Sequence, residues 1–469
     1  MPTRNLPNDP HLEHLRGQAK TLLKRVRAGD SAAVALAAEF HPVQTLADAQ
    51  LVIARSYGFP SWPRIVRHLE LVDRYSRSPH RQPVGGPLDT AAERADEFLR
   101  LATLHYGEDD PARQRSARDL LERYPEIAQS NIHTQVVAGD LDGIDFTQAS
   151  SEGGPYRWEP LLYLTYSRLD APHQVEIARL LLEHGADPNA GYLWQGLPSP
   201  FTALTGVFGE GEQGAGKQPR HPHSLQLARL LLTAGASPND GQSLYNRMFR
   251  PDNDHLLLLF EFGLGRVGGG HWAELLDGFI ETPEQMLARQ LGWAIDHGFG
   301  ERVELLIANV VDVSTPLADG QTPAEHALHA GYREIIVALT AAGADLPDVT
   351  PDLRLVGALL AGDRVGVDEL SDGLTDLRIA DPTLIHRART PRSVASIAES
   401  GFDLDSRIGG RTALHEAAFA GDVELITALL AGGADPDVVD DQFGTPPLVW
   451  AGYACQPAAV EMLEPVTGR

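Results

Sequence analysis

Cysteine is almost absent: Cys455 stands alone among 469 residues, which excludes an internal disulfide framework and any cysteine-rich zinc site. Long apolar runs are missing as well. Runs such as LLLLF at 256–260 fall far short of the roughly 20 residues that cross a bilayer. The opening MPTRNLPNDP has no apolar core of signal-peptide length, so the expected location is the cytoplasm. Positive charge is scarce: 39 Lys and Arg face 64 Asp and Glu, a net charge of −25 at pH 7. Such a surface repels phosphate backbones, so neither nucleic acid nor membrane is expected as a partner. Residues 1–80 are the exception, with 11 basic side chains against 7 acidic ones, which sets an N-terminal unit apart from the rest.

Assembled catalytic motifs are also missing. There is no G-x-S-x-G, HEAAF at 415–419 lacks the second histidine of H-E-x-x-H, and nothing pairs Cys455 with a base. Two strings imitate phosphate sites. GEQGAGKQ at 211–218 spells G-x-x-x-x-G-K, but Gln218 stands where a Ser or Thr should hold magnesium, and Pro219 and Pro222 discourage the helix that should follow. GLGRVG at 263–268 has no parallel-strand context. His326 and His329 share a helix face without an evident third ligand. No enzyme, cofactor or metal is expected.

What is present is helical periodicity. Apolar Leu12, Leu15, Ala19, Leu22 and Val26 line one face of a first helix, with Arg16, Lys20, Lys24 and Arg27 opposite. TLADAQLVIARSYG reads as a helix capped by Thr45, and SWPRIVRHLELVDRY as another capped by Ser61. A small helical unit therefore occupies 1–75, a Pro/Gly-rich linker 76–94, and a third region 95–469.

That third region repeats itself. ARLLLEHGADPNAG near 178 returns as ARLLLTAGASPNDG near 228, and VALTAAGADLPD at 337–348 returns as ITALLAGGADPD at 426–437. Each is a leucine-rich helix stopped by a glycine suited to a left-handed turn. Near the end these stops fall at Gly343, Gly373, Gly401 and Gly433, spaced 30, 28 and 32 apart. A helical pattern with a period near 30–33 predicts stacked repeats, because a lone helical hairpin of that size cannot bury both apolar faces.

The segment from Arg411, RTALHEAAFAGDVELITALLAGGADPDVVDDQFGTPPL, resembles an ankyrin repeat followed by the opening of the next, with Thr412-Ala413-Leu414-His415-Glu416-Ala417 on the T-P-L-H-x-A motif. QTPAEHALHAG at 321–331 keeps Thr322-Pro323 but has Glu325 at the histidine position. The resemblance implies an all-α, ankyrin-repeat helical solenoid behind the N-terminal unit. It further implies that Thr412 and His415 bond each other and the backbone, and that Thr383 and His386 do the same. By position it offers a protein or peptide partner the inner-helix residues Glu416, Phe419, Ala420, His326 and His329, together with the turn residues Asp441, Gln442 and Phe443. The whole is similar to bacterial ankyrin proteins with a helical extension, expected to act as monomeric binding scaffolds.

Two further groups are candidates for contact. The repeat between Gly185 and Gly235 is about 17 residues too long, and the surplus places an insertion near 209–223, read as a mobile loop presenting Lys217, Arg220, His221 and His223. Tyr163, Tyr166 and Trp194 belong to an aromatic cluster shared between core packing and interface anchors. The competing functional reading is a small-molecule sensor or enzyme whose pocket lies beside the insertion or the N-terminal unit.

Overall fold

The computed structural model describes residues 11–82, 84–276, 279–346 and 349–468. The opening ten residues, and Pro347 and Asp348 of the repeat end at 337–348, lie outside that set.

The first helix, Leu12–Arg27, buries Leu15, Ala19 and Leu22 and leaves Arg16, Lys20, Lys24 and Arg27 exposed. Helices Ser31–Phe40, Leu46–Ser56 and Trp62–Tyr75 complete a bundle around Val52, Ile53 and Ile65. Thr45 and Asp48 form the expected capping box, each side chain meeting the other residue's amide.

Helix accounts for 58% of the chain, yet the fold is not purely helical. Strand β1 (Ser76–Arg77) runs parallel to β2 (Gly191–Trp194), and β2 pairs antiparallel with β3 (Pro200–Thr202), with Tyr192 opposite Phe201. The segment read as a Pro/Gly-rich linker, 76–94, begins with β1. Gln82 then donates to the Pro155 carbonyl at 2.5 Å, and the Gly85 amide to Glu97 at 2.6 Å.

Beyond the sheet, helices come in pairs. Pro160–Tyr166, Ala203–Phe208, Gly241–Arg247, Pro283–Asp296, Pro323–Ala330 and Pro351–Ala361 form a row in which each packs on the one before it, and Pro351–Ala361 then packs on Pro391–Glu399. Their second helices include Gln174–Glu183, Ser224–Thr233 and Asp254–Glu261, which also pack in sequence. Later pairs are Ala413–Ala420 with Val423–Gly432 and Pro447–Tyr453 with Pro457–Leu463. The repeat between 374 and 399 is degenerate: its first helix shrinks to the 3-10 turn Leu384–Arg387. Two buried apolar clusters result, one from Phe98 to Ala344 and one from Leu355 to Leu463.

The helix stops share one geometry. Gly185, Gly235, Gly343 and Gly433 have φ between 91° and 103°, a region that costs glycine nothing. In each case the next residue is a buried alanine whose amide reaches back to a leucine carbonyl: Ala186 to Leu181, Ala236 to Leu231, Ala344 to Leu339 and Ala434 to Leu429, all at 2.9–3.0 Å. This bond satisfies one of the carbonyls that every helix end leaves open. Gly373 is a correction to the expected set: it sits at φ −80°, inside a helical turn, and stops nothing by a left-handed bend. Conversely, Val310 occupies a stop position with φ 62°, and the Val311 amide bonds the Leu306 carbonyl at 3.2 Å.

A β-branched residue is strained at that φ, and the Val310 side chain is 85% exposed, so nothing packs against it. Replacing it with glycine should therefore stabilise the fold by about 1 kcal/mol, the relief of the left-handed penalty less glycine's extra unfolded-state entropy. Urea unfolding of Val310→Gly against the parent checks this; a lower midpoint would contradict it.

Candidate partner-binding site

The best-formed repeat places its candidate residues on two elements. Thr412 caps the helix Ala413–Ala420, and its hydroxyl lies 2.8 Å from His415 Nδ1. The Thr412 amide also donates to Nδ1, so the imidazole proton sits on Nε2, which donates to the Thr445 carbonyl at 3.0 Å. His415 is fully buried, and burial lowers its pKa, keeping it neutral. Its bonds hold the next repeat's turn.

That turn, 440–445, is wound around one carboxylate. Asp440 accepts from the amides of Gln442, Phe443 and Thr445, from the Thr445 hydroxyl and from Trp450 Nε1. The Phe443 amide and Trp450 donor are among the causes that hold the Asp440 carboxyl far below its usual range. The locked backbone projects Asp441, Gln442 and Phe443 into solvent, Phe443 being 64% exposed. Trp450 stands between the helix and the turn, with ring centroids 5.9 Å from Phe419 and 6.2 Å from Phe443 and the Arg411 guanidinium 5.7 Å above it. Phe419 is half-buried, Ala420 exposed, and Glu416 bridges Arg411 and His386. Arg407 pairs with Asp441. Trp450, Arg411 and Asp440 are additions to the expected residues. Trp450 had a signal in the string TPPLVW, two residues beyond the histidine position.

The weaker repeat at 383–387 departs from expectation. Thr383 Oγ1 lies 3.4 Å from Asp381 rather than reaching His386. His386 still ties two repeats, its Nε2 donating to the Ser406 carbonyl at 2.9 Å, but it does so from a 3-10 turn that Thr383 cannot cap as Thr412 does.

Two other candidates are not on the surface at all, and a third is partly covered. Tyr163 and Tyr166 are fully buried; Tyr163 donates to the Gly153 carbonyl at 3.0 Å and Tyr166 to the Thr202 carbonyl at 3.0 Å. Trp194 is covered by His80, ring centroids 4.8 Å apart. Burial of the two tyrosine rings with their hydroxyls bonded makes them core rather than anchors, whereas Trp194 is part-buried and its Nε1 has no partner among the described residues.

The insertion is folded, not mobile. Gly214–Lys217 forms one helical turn, Gln218 and His221 are buried, and burial keeps His221 neutral. The Lys217 ammonium lies 3.1 Å from the centre of the Tyr453 ring, and a Cβ on Gly216 would come within 2.8 Å of the Ala454 carbonyl oxygen. Arg220 is drawn inward by Glu210 at 2.7 Å, Asp252 at 2.8 Å and Asp254 at 2.6 Å, alongside the fully buried Arg247, which pairs with Asp252 and with Asp254 at 2.8 Å. His223 faces Asp170 at 3.6 Å. The four basic side chains do not converge on a docking finger.

Asp252, Asp254 and His255 lie close enough to hold a cation, but both carboxylates are already engaged by two guanidiniums, which oppose a second positive charge.

His326 and His329 are neighbours with opposite tendencies. His326 sits between Asp296 and Asp319, 2.8 Å from each, and the Asp296 bond raises its pKa above the usual 6.5. Burial, with Arg387 nearby, lowers that of His329. A raised folded-state value means that the His326 clamp is fully formed below the unfolded pKa and is lost as pH rises through the folded one. In an NMR titration, His326 should titrate above 6.5 and His329 below it. Asp296→Asn should bring the His326 midpoint down; coincident midpoints would contradict the assignment.

Compared with known proteins, residues 409–441 match the ankyrin repeat family model. This supports an ankyrin-repeat protein, and ankyrin repeats are typically non-enzymatic modules that bind proteins. No curated protein matches the chain. Among the described residues no helix is long and apolar enough to cross a membrane.

Proposed function

We propose that this chain is a non-catalytic protein–protein interaction scaffold, a helical solenoid whose inner helices and turn tips receive a protein or peptide in the cytoplasm. One observation carries the reading: Phe443 is held out to solvent by a turn that Asp440 locks. An exposed aromatic on a rigid backbone loses little entropy on binding, and aromatic side chains in desolvated pockets dominate interface energetics. Phe419, Trp450 and Arg411 stand beside it and extend the patch along the helix Ala413–Ala420. Glu416, Ala420, Asp441 and Gln442 form its polar border, and His326 and His329 present a second patch three repeats away on the same row of first helices.

The test is capture from native-host lysate, followed by binding of the purified partner to the parent and to Phe419→Ala and Phe443→Ala chains. Truncating Phe443 should weaken binding about tenfold or more, the effect of removing an anchor, with melting unchanged because the ring is exposed. A partner held equally by all three chains would move the interface elsewhere.

A further inference from the structure

Between β2–β3 and the helices Gly241–Arg247 and Pro283–Asp296 lies a cavity of about 320 Å³. Its walls are Tyr245, Trp272, Met286 and the rings of Pro188, Pro198 and Pro200. Its floor is structural: Asp240 accepts from the Thr202 hydroxyl and, at 2.8 Å, from the Ser243 amide, so this buried acid is already occupied. Trp272 is fixed by a 2.9 Å bond from its Nε1 to the Asn189 carbonyl.

Arg289 differs from the rest of the lining. Its guanidinium lies 5.4 Å over the Tyr245 ring, and among the described residues its Nε is buried without a partner and its one carboxylate contact is Glu281 at 2.8 Å. Glu281 is 40% exposed and belongs to the connection before the helix Pro283–Asp296, so it can swing into water at little cost. A guanidinium beside an aromatic face, whose anionic partner is an exposed side chain that can leave, is a receptor for a planar anion. The cavity also has the size and mixed lining of a small-ligand site.

We propose that this cavity binds a small molecule with a flat apolar body and a single carboxylate, the carboxylate replacing Glu281 on Arg289 and the body lying between Tyr245 and Trp272. Two parts of the chain without another role in the repeats hold this site. The N-terminal bundle grips the segment that carries Trp272: Phe59 and His68 enclose Phe279 with centroids at 4.6 and 5.3 Å, and Tyr75 meets Trp272 edge-on at 5.2 Å. From the other side, Glu212 of the insertion accepts the Tyr245 hydroxyl proton bond. Both therefore set the spacing of the two aromatic walls. The site is separate from the Phe443 patch, and its occupancy does not depend on a protein partner.

Isothermal titration of the full chain with naphthalene-2-carboxylate, naphthalene-2-methanol and 2-naphthylmethylamine tests this. The carboxylate should bind about tenfold more tightly than the alcohol, the gain from a charge-assisted bond, and the amine should bind no better than the alcohol. Arg289→Gln should abolish that preference. Glu281→Gln, an exposed change that keeps the fold, should tighten carboxylate binding by removing its competitor, and so carries the test if Arg289→Gln melts early. No heat from the carboxylate at several millimolar, equal carboxylate and alcohol binding, a preference for the amine, or an unchanged carboxylate affinity in Glu281→Gln would each overturn the proposal.

Discussion

The hydrogen bond from the amide of the residue after a left-handed stop to the carbonyl five positions back is the constraint on which the layering depends. It ends the second helix, buries an alanine at Ala186, Ala236, Ala344 and Ala434, and turns the chain toward the next first helix in one step. Without it the last turn would leave open carbonyls against a packed neighbour, where water cannot reach them. The conservation of this geometry within the chain, from Ala186 to Ala434, explains why successive pairs stack with the same faces together. Val311 shows that the bond matters more than the residue type: it forms there although Val310 is forced into a conformation that valine resists.

Much of this was legible in the sequence because the signals are local. Leucines at helical spacing, a glycine and an alanine fall within one stretch of chain, and so do Thr412 and His415, whose mutual bond needs only a helix start. Gly373 misled because a glycine in the right place reads as a stop, whereas the neighbouring segments Ser371–Gly373 and Leu374–Ala380 carry a helical turn straight through it. Thr383 misled for a related reason: spacing suggests a cap, but the cap needs a full helix, and only a 3-10 turn forms.

What was not legible depends on contacts across long stretches of chain. The strand Ser76–Arg77 finds its partner at Leu193 and Trp194, and two residues carry no strand signal of their own. The aromatic residues near 160 look equally suited to a surface or a core until Gly153 and Thr202 supply carbonyls for their hydroxyls. Likewise the insertion reads as polar and mobile because Lys217, Arg220, His221 and His223 are polar. Its order comes from Glu210, Asp252 and Asp254, whose charges would be stranded without Arg220 and Arg247. Of the candidate surface, the turn at 441–443 was predictable from the repeat; the Trp450 shelf beneath it needed the packing of one repeat on the next.

The contact between Lys217 and Tyr453 joins positions 236 residues apart. Arrays of repeats ordinarily unfold piecemeal, since each unit senses only its neighbours. A long-range contact changes that: loosening the last repeat also uncovers Gly216 and the turn that carries it, so the closing repeat and the repeat at 203–233 share one fate.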